Sequence, residues 1–179
     1  MKNKNAFWPA ALLVAMVLFI APQAASGQGL SSVTGAGAAT FGTGSVATFP
    51  AEADGAVTLP GTTVSSPVTL SGLEFAIGID IELDGSVDGD LQVTLVGTSA
   101  GQARRIIVEG RVSGQAVQAL STVTFSGTCS VDMGDGTPTV SDVPIRMSVI
   151  AGESSKLTLV LGLTNLPSAT VNKGSLRIN

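Results

Sequence analysis

The sequence predicts an all-β protein: one small antiparallel β-barrel or sandwich of roughly eight to ten strands after an N-terminal signal peptide. Three observations lead to this fold class. Apolar and polar residues alternate with a period of two over much of residues 73–179. Gly-rich turns separate the alternating stretches, and beyond the N-terminal segment no apolar stripe of helical period follows a capping residue.

The N-terminal segment has the three parts of a secretory signal peptide. Lys2 and Lys4 precede an apolar run at 10–21, and Pro22 and the small residues 24–27 follow it. The run of about 12 residues is shorter than the roughly 20 that span a bilayer. We expect residues 1–27 to be removed, with cleavage near Gly27 or, alternatively, at Ser26. No membrane span would then remain, and the mature chain would be secreted, periplasmic or at the cell surface; a retained signal anchor is the alternative.

The charges are segregated along the chain. Without Lys2 and Lys4, seven basic residues face 13 acidic ones, a net charge of −6. No Lys or Arg occurs between Asn5 and Arg104, a stretch with eight acidic residues, and the remaining chain carries seven basic and five acidic residues. We therefore expect one strongly negative surface, which argues against nucleic acid and anionic membranes as partners.

Residues 28–72 are rich in Gly, Ser, Thr, Ala and Pro. They contain weak strand candidates at 38–41, 45–50 and 56–59, interrupted by Pro50, Pro60 and Pro67. We expect short edge strands with loose connections; a long loop over the barrel mouth or a partly disordered linker are the alternatives. Residues 73–179 form the main β-domain, and 28–179 are expected to be one domain.

The alternation is clearest at 73–84, where the apolar residues predicted to face inward end with Leu83 and four of the six outer positions are acidic. Asp-Gly pairs at 84–85 and 88–89 predict a hairpin turn, and 91–95 the returning strand. Further strands are predicted at 104–113, 119–131, 143–150, 156–164 and 170–178. Turns are expected at 97–101, 113–114, 134–136 and 152–155. In the strand at 156–164 the leucines, including Leu163, are predicted to face inward. Glycines within strands, Gly78, Gly110, Gly127 and Gly162, favour a closed barrel.

Four stretches carry a resemblance to a known family: 35–41 (GAGAATF), 89–93 (GDLQV), 123–129 (VTFSGTC) and 174–178 (GSLRI). In these the chain resembles a family of exported bacterial all-β domains that often lie at the C-terminal end of cell-surface proteins. The resemblance covers about two-thirds of the chain and implies the fold and the export. It implies no site, because the family offers no catalytic residues to carry over.

The acidic hairpin is the best candidate site. Its carboxylates, at alternate positions before and after Gly85, partly match a calcium loop, since Ca²⁺ binds six to eight oxygens. The candidate ligands are Asp80, Glu82, Asp84, Asp88 and Asp90. Leu91 stands where the loop needs a bidentate Glu, and strand rather than helix precedes it. The alternative is a solvent-facing acidic strand with an ordinary Asp-Gly turn.

Other residues have plainer interpretations. The fragment Asp132 to Gly136 is expected to be a turn. Cys129 is predicted to face inward and to pack; with no His in the chain, the usual Cys–His activation is unavailable. Arg104, Arg105 and Arg111 form a cationic strip, interpreted as a solvated strand end, or as a contact with an acidic partner or with the acidic hairpin itself.

The sequence contains no complete catalytic set. Because the chain has no His, neither a Ser–His–Asp triad nor a His-ligated metal site can form, and no phosphate loop is present. A carboxylate pair for glycoside hydrolysis remains an alternative. We expect no enzyme activity and no cofactor, but an exported structural or interaction module with a protein or envelope partner. The alternative is a ligand-binding barrel, with a small apolar ligand in its mouth or Ca²⁺ at the hairpin.

Overall fold

The computed structural model describes residues 31–49 and 67–179, which form eleven β-strands and no helix. The predicted all-β class is confirmed. In these residues no helix has the length and apolar character needed to cross a membrane. The predicted signal peptide at 1–27 and the strand candidate at 56–59 lie outside the described residues. The strands are β1 (Ser31–Phe41), β2 (Val46–Thr48), β3 (Pro67–Ile81), β4 (Ser86–Ser99), β5 (Gln102–Gln115), β6 (Val117–Ala119), β7 (Thr122–Asp132), β8 (Val140–Ile150), β9 (Lys156–Leu161), β10 (Thr164–Asn165) and β11 (Ala169–Ile178).

One antiparallel sheet closes into a ring. The hydrogen-bonded order is β1-β11-β9-β8-β7-β5-β4-β3, and β3 also pairs with β1, so eight strands return to their starting point. The three short strands are added to it: β2 pairs with β3, β6 with β7 and β10 with β9. The shortest strand pairing in the ring is that of β9 with β11, which pair only through Ala169↔Leu157 and Thr170↔Lys156.

The first strand differs from the sequence expectation, because β1 closes the ring instead of lying at an edge. It pairs with β3 from Ser31↔Ile81 to Thr40↔Gly72 and with β11 from Val33↔Ile178 to Phe41↔Ala169. Its glycines explain the weak strand signal. A Cβ on Gly35 would run into the carbonyl oxygen of Ser175 on β11. The close approach of the two strands therefore requires glycine here, although glycine is unfavourable in strands.

The inner face of the ring holds one hydrophobic core of aliphatic residues and four phenylalanines. Burial alternates along the strands, and the inward apolar residues of 73–81, 91–95 and 157–161 are buried, as are Val123, Phe125, Cys129 and Val131. Two predicted inward residues are exposed: Leu83 by 74% and Leu163 by 62%. These predictions were wrong because β3 ends at Ile81 and β9 at Leu161, where Gly162 turns the chain with a φ of 56°.

Several predicted turns also lie inside strands. Asp88 and Gly89 belong to β4 and residues 113–114 to β5. Of the two Asp-Gly pairs only 84–85 lies in the β3–β4 turn, which spans residues 82–85. The predicted strand at 119–131 corresponds to β7 from Thr122 onward, whereas residues 120–121 form the turn between β6 and β7, where Leu120 has a φ of 53°. Gly89 is needed for packing, since a Cβ there would meet the carbonyl oxygen of Gly78 on β3.

Candidate functional site

Six carboxylates on one side of the ring form what we call the acidic face. Period-two alternation turns them outward on β3, on β4 and in the turn between these strands, and all six are exposed. No Lys or Arg lies on either strand. Asp80 stands directly opposite Asp88 in the β3–β4 register, an arrangement of like charges that destabilises a sheet. The face consists of Glu74, Asp80, Glu82, Asp84, Asp88 and Asp90.

The cationic strip of β5 contacts the protein's own carboxylates. Arg111 Nη2 lies 3.0 Å from Asp88 Oδ1, and Arg105 Nη2 lies 3.3 Å from Glu74 Oε2. Arg104 Nη1 lies 3.9 Å from an oxygen of Asp135, beyond the acidic face. Of the interpretations left open by the sequence, contact with the acidic hairpin is the one that Arg111 makes.

The five calcium candidates are spread over the acidic face. In residues 31–49 and 67–179 no three His, Cys, Asp or Glu side chains come together in a way that would hold a metal ion. Asp84 Oδ1 accepts a hydrogen bond of 2.8 Å from the Ser86 backbone N–H. Hydrogen bonds from Ser86, through its side chain first and its backbone second, lower the pKa of Asp84. A calcium site on Asp80, Glu82, Asp84, Asp88 and Asp90 stays a prediction from the sequence.

The loop after β7 is held by its own aspartates. Asp132 Oδ1 accepts a hydrogen bond of 2.8 Å from the Gly134 N–H. Asp135 Oδ1 accepts from the Thr137 hydroxyl at 2.6 Å and from the Thr137 N–H at 3.1 Å. The pKa of Asp135 is lowered, mainly by the Thr137 hydroxyl and to a smaller extent by Arg104. These local contacts account for both aspartates without a ligand.

An open groove of about 930 Å³, the largest of the described pockets, crosses the middle of β1, β3, β4, β5 and β7 and reaches the start of β8. Its polar lining includes Gln92, whose Nε2 donates a hydrogen bond of 2.8 Å to Glu109 Oε1. Gly78 leaves open space, since a Cβ there would meet no atom within 4 Å. Asp142 lies at the β8 end with a φ of 59°. The sequence did not indicate this groove, because it depends on the register between strands.

Cys129 is packed inside the ring, as its strand parity predicted. It is 4% exposed, and burial raises the pKa of its thiol to about 12. The thiol is therefore protonated at neutral pH, and a protonated thiol is a poor nucleophile.

A second charged surface, the basic face, lies on β8, β9 and β11. It consists of four exposed cations, and none of them takes part in an ion pair among the described residues. The sequence alone does not reveal it, because the four residues are separated along the chain and lie on strands that become adjacent only in the folded sheet, where β8 pairs with β9 and β9 with β11. The basic face consists of Arg146, Lys156, Lys173 and Arg177.

Comparisons with known proteins add no relative whose site could be transferred to the acidic or the basic face. No model of a protein family, no curated protein and no solved structure matches the chain.

Proposed function

We propose that this chain is an exported, non-catalytic interaction module that docks a positively charged partner surface on its acidic face. The observation that carries the proposal is the set of four carboxylates, Asp80, Glu82, Asp84 and Asp90, that take part in no ion pair among the described residues. Repulsion between carboxylates held side by side on a sheet costs stability. A cationic partner would offset that repulsion on binding, so the acidic face is suited to bind such a partner.

The character of the side chains supports binding over catalysis. An acid–base pair of carboxylates works when one of them is withdrawn from water, and every carboxylate of the acidic face is exposed. The chain has no His, and its single thiol is buried. We therefore assign no reaction to the acidic face.

The same exposure sets the kind of binding we expect. Solvent-exposed ion pairs contribute about 0–1 kcal/mol each and are screened by salt. Docking through this face would be fast, weak and strongly dependent on ionic strength. The partner would be a protein surface or extended peptide rich in Lys and Arg.

The groove favours a second candidate function, a ligand-binding module. Its volume of about 930 Å³ falls within the range of about 300–1,000 Å³ that is common for small-molecule sites. Its lining combines the exposed Asp90, Gln92, Glu109 and Arg111 with apolar residues that include Ile77 and Leu91, so the ligand it suits has both polar and apolar parts. Mass spectrometry of molecules extracted from the purified protein tests this candidate.

Binding of a hexalysine peptide at low and high salt tests the docking proposal. We expect binding in 20 mM NaCl that weakens at least tenfold in 200 mM NaCl, and a several-fold loss in Asp80→Asn. Glu153→Gln removes the same single charge outside both the acidic face and the groove and is the matched control. Equal losses in the two variants, or binding that ignores salt, would refute the proposal.

Export is tested separately by expressing the full chain in a bacterial host. The mass of the protein recovered outside the cytoplasm should correspond to a chain that begins at Gln28 or within one residue of it. An intact N-terminus, or retention in the cytoplasm, would contradict the exported part of the proposal.

A further inference from the structure

We infer that an apolar patch at one end of the ring joins two copies of this protein about a two-fold axis. What we call the apolar patch consists of four exposed aliphatic residues, Leu83, Val117, Leu120 and Ile150. None of them is charged, and docking of a cationic partner on the acidic face does not require them. The inference therefore goes beyond the proposed function.

Leu120 is the member of the patch that is completely exposed to solvent. It is the first residue of a two-residue loop between β6 and β7 and has a φ of 53°. Glycine and asparagine adopt this conformation readily, whereas leucine is strained in it. Backbone outliers of this kind cluster at functional sites, and burial of a leucine against another apolar surface is favourable. The turn is thus suited to contact a partner.

Val117 and Ile150 extend the patch beside this turn. β6 pairs with β7 and β7 with β8, so Ala119, Thr122 and Ile150 form one row across the three strands. Val117 lies two residues before Ala119 and therefore on the same side of β6. The row carries no charge as far as Ile150, and its side chains are aliphatic or threonine.

Leu83 borders the patch from the neighbouring turn. The Ala116 N–H, at the junction of β5 and β6, donates a hydrogen bond of 2.9 Å to the Gly85 carbonyl oxygen. Leu83, Ala116 and Gln118 line one shallow pocket of about 130 Å³. The β3–β4 turn and β6 are therefore neighbours, and the four aliphatic residues belong to one surface.

The lack of charge makes this surface the favourable place for two copies to meet. Residues 112–131, which include β6 and most of β7, contain no Asp, Glu, Lys or Arg. The whole chain has a net charge of −4, so copies that approach through their charged surfaces repel each other. Contact through the apolar patch avoids most of this repulsion.

The charges at the two ends of the patch favour a second copy over a lipid surface. Glu82 and Asp84 flank Leu83, and Lys156 is the register partner of Ile150. A two-fold axis near Leu120 places the Leu83 end of one copy against the Ile150 end of the other. The carboxylates then meet Lys156 twice, once on each side of the axis. A lipid surface offers no such ordered pair of charges.

The size of the patch sets the strength of the association. Four side chains cover less than the roughly 800 Å² that each partner contributes to a standard interface, so we expect a dissociation constant on the order of 10–100 µM. A two-fold contact uses the same surface on both copies. Association should therefore stop at the dimer.

Sedimentation velocity from about 5 to about 500 µM protein tests the inference. We expect a monomer that converts to a dimer as the concentration rises, with no larger species. Salt screens charges but not apolar burial, so the dissociation constant should change less than about threefold between 50 and 500 mM NaCl. A monomer at every concentration, or species that grow beyond the dimer, would overturn the inference.

The variant Leu120→Asn separates association from folding. Asparagine tolerates the backbone conformation of this turn, so the thermal midpoint should stay the same or rise, while the dissociation constant should rise at least tenfold. Leu163→Asn is the matched control, because Leu163 is also exposed but follows the end of β9 that lies away from Ile150. Unchanged association in Leu120→Asn, or an equal loss in both variants, would contradict the contact.

Neutral phosphatidylcholine vesicles test the competing occupant of the patch. A protein that stays monomeric at about 500 µM yet sediments with the vesicles, and loses this in Leu120→Asn, would show that the patch serves a lipid surface and would exclude the second copy. A dimer that ignores the vesicles supports the inference. Hexalysine binding reports on the acidic face alone, so failure of the dimer and failure of the proposed function are distinguishable.

Discussion

Arg111 on β5 bonds to Asp88 on β4 rather than to Asp90, the residue directly opposite it. Its Nε and Nη2 lie 3.1 and 3.0 Å from Asp88 Oδ1. This diagonal contact brings a positive charge to the carboxylate that faces Asp80 across the β3–β4 pair. Arg111 thus offsets the repulsion between two aspartates that the sheet holds opposite each other.

Replacing Arg111 should expose that repulsion. We expect Arg111→Gln to lower the free energy of unfolding by about 0.5–1 kcal/mol at low salt, because the pair is exposed and such pairs are weak. Urea denaturation in 10 mM and 500 mM NaCl measures the effect, which should shrink in the higher salt. Arg146→Gln, which removes a cation outside the described ion pairs, is the control and should change stability little. An equal effect at both salt concentrations would contradict the electrostatic origin.

Two neighbouring glycines should respond in opposite ways to the same substitution. A Cβ on Gly89 would meet the carbonyl oxygen of Gly78 and would lie 2.6 Å from the Cα of Ile79. We expect Gly89→Ala to lower the free energy of unfolding by about 2–3 kcal/mol, as overpacking does. Gly78→Ala places its methyl group in open space, and alanine is favoured over glycine in a strand by about 0.5–1 kcal/mol. Urea denaturation of both variants measures these changes. A similar loss in the free energy of unfolding at both positions would contradict the close packing at Gly89.

The strands with strict alternation were predictable and those rich in glycine were not. In β3 each inward residue from Leu73 to Ile81 is apolar, so the sequence shows both the strand and its buried face. In β1 the ring-closing role depends on how closely Ser175 approaches Gly35, a contact between residues far apart in the chain. Local strand propensity contains no information about such an approach.

The charged surfaces show the same division. The acidic face could be predicted, because its carboxylates follow one another along β3 and β4. The basic face could not, since Arg146 and Arg177 are related only through the ring order of β8, β9 and β11. The bond of Arg111 to Asp88 likewise depends on the β4–β5 register, which the sequence does not specify.

Calcium should leave the thermal stability unchanged. Asp84 is used by the Ser86 N–H and Asp88 by Arg111, so the carboxylates do not converge on one point. A site saturated a hundredfold over its dissociation constant would add about 2.7 kcal/mol, or a rise of roughly 5–10 °C for a chain of this size. We expect equal midpoints in EDTA and in 5 mM CaCl₂, with MgCl₂ as the control. A rise in Ca²⁺ alone that Asp84→Ala abolishes would instead establish the hairpin as a calcium site.

The buried thiol should react only when the protein opens. Cys129 is 4% exposed, and its pKa is raised from 9.0 to about 12 by burial. We expect no reaction with a thiol reagent at pH 8 in the native state and full reaction in urea. Above pH 9 the unfolded chain loses the thiol proton while the native chain keeps it, so stability should fall between pH 9 and 12. Cys129→Ala should lack this part of the decline; rapid labelling of the native protein would contradict the burial.

The loop after β7 should show a pH dependence of the opposite sign. The Thr137 hydroxyl stabilises the Asp135 carboxylate and lowers its pKa below the ordinary 3.8. This contribution is complete above the ordinary value and is lost as the pH falls through the lowered native pKa. Thr137→Val should therefore destabilise the protein by about 0.5–1 kcal/mol at pH 7, the usual net value of a hydrogen bond, and the difference from the unchanged protein should vanish in acid.

Carboxyl NMR titration separates this local effect from a general loss of stability. The pKa of Asp135 should rise toward 3.8 in Thr137→Val, because its largest stabilising hydrogen bond is gone. Thr139→Val alters an exposed threonine of the same loop for which no side-chain hydrogen bond is described, and should leave that pKa in place. If both variants raise the pKa equally, the loop as a whole and not the Thr137 hydroxyl holds Asp135 ionised.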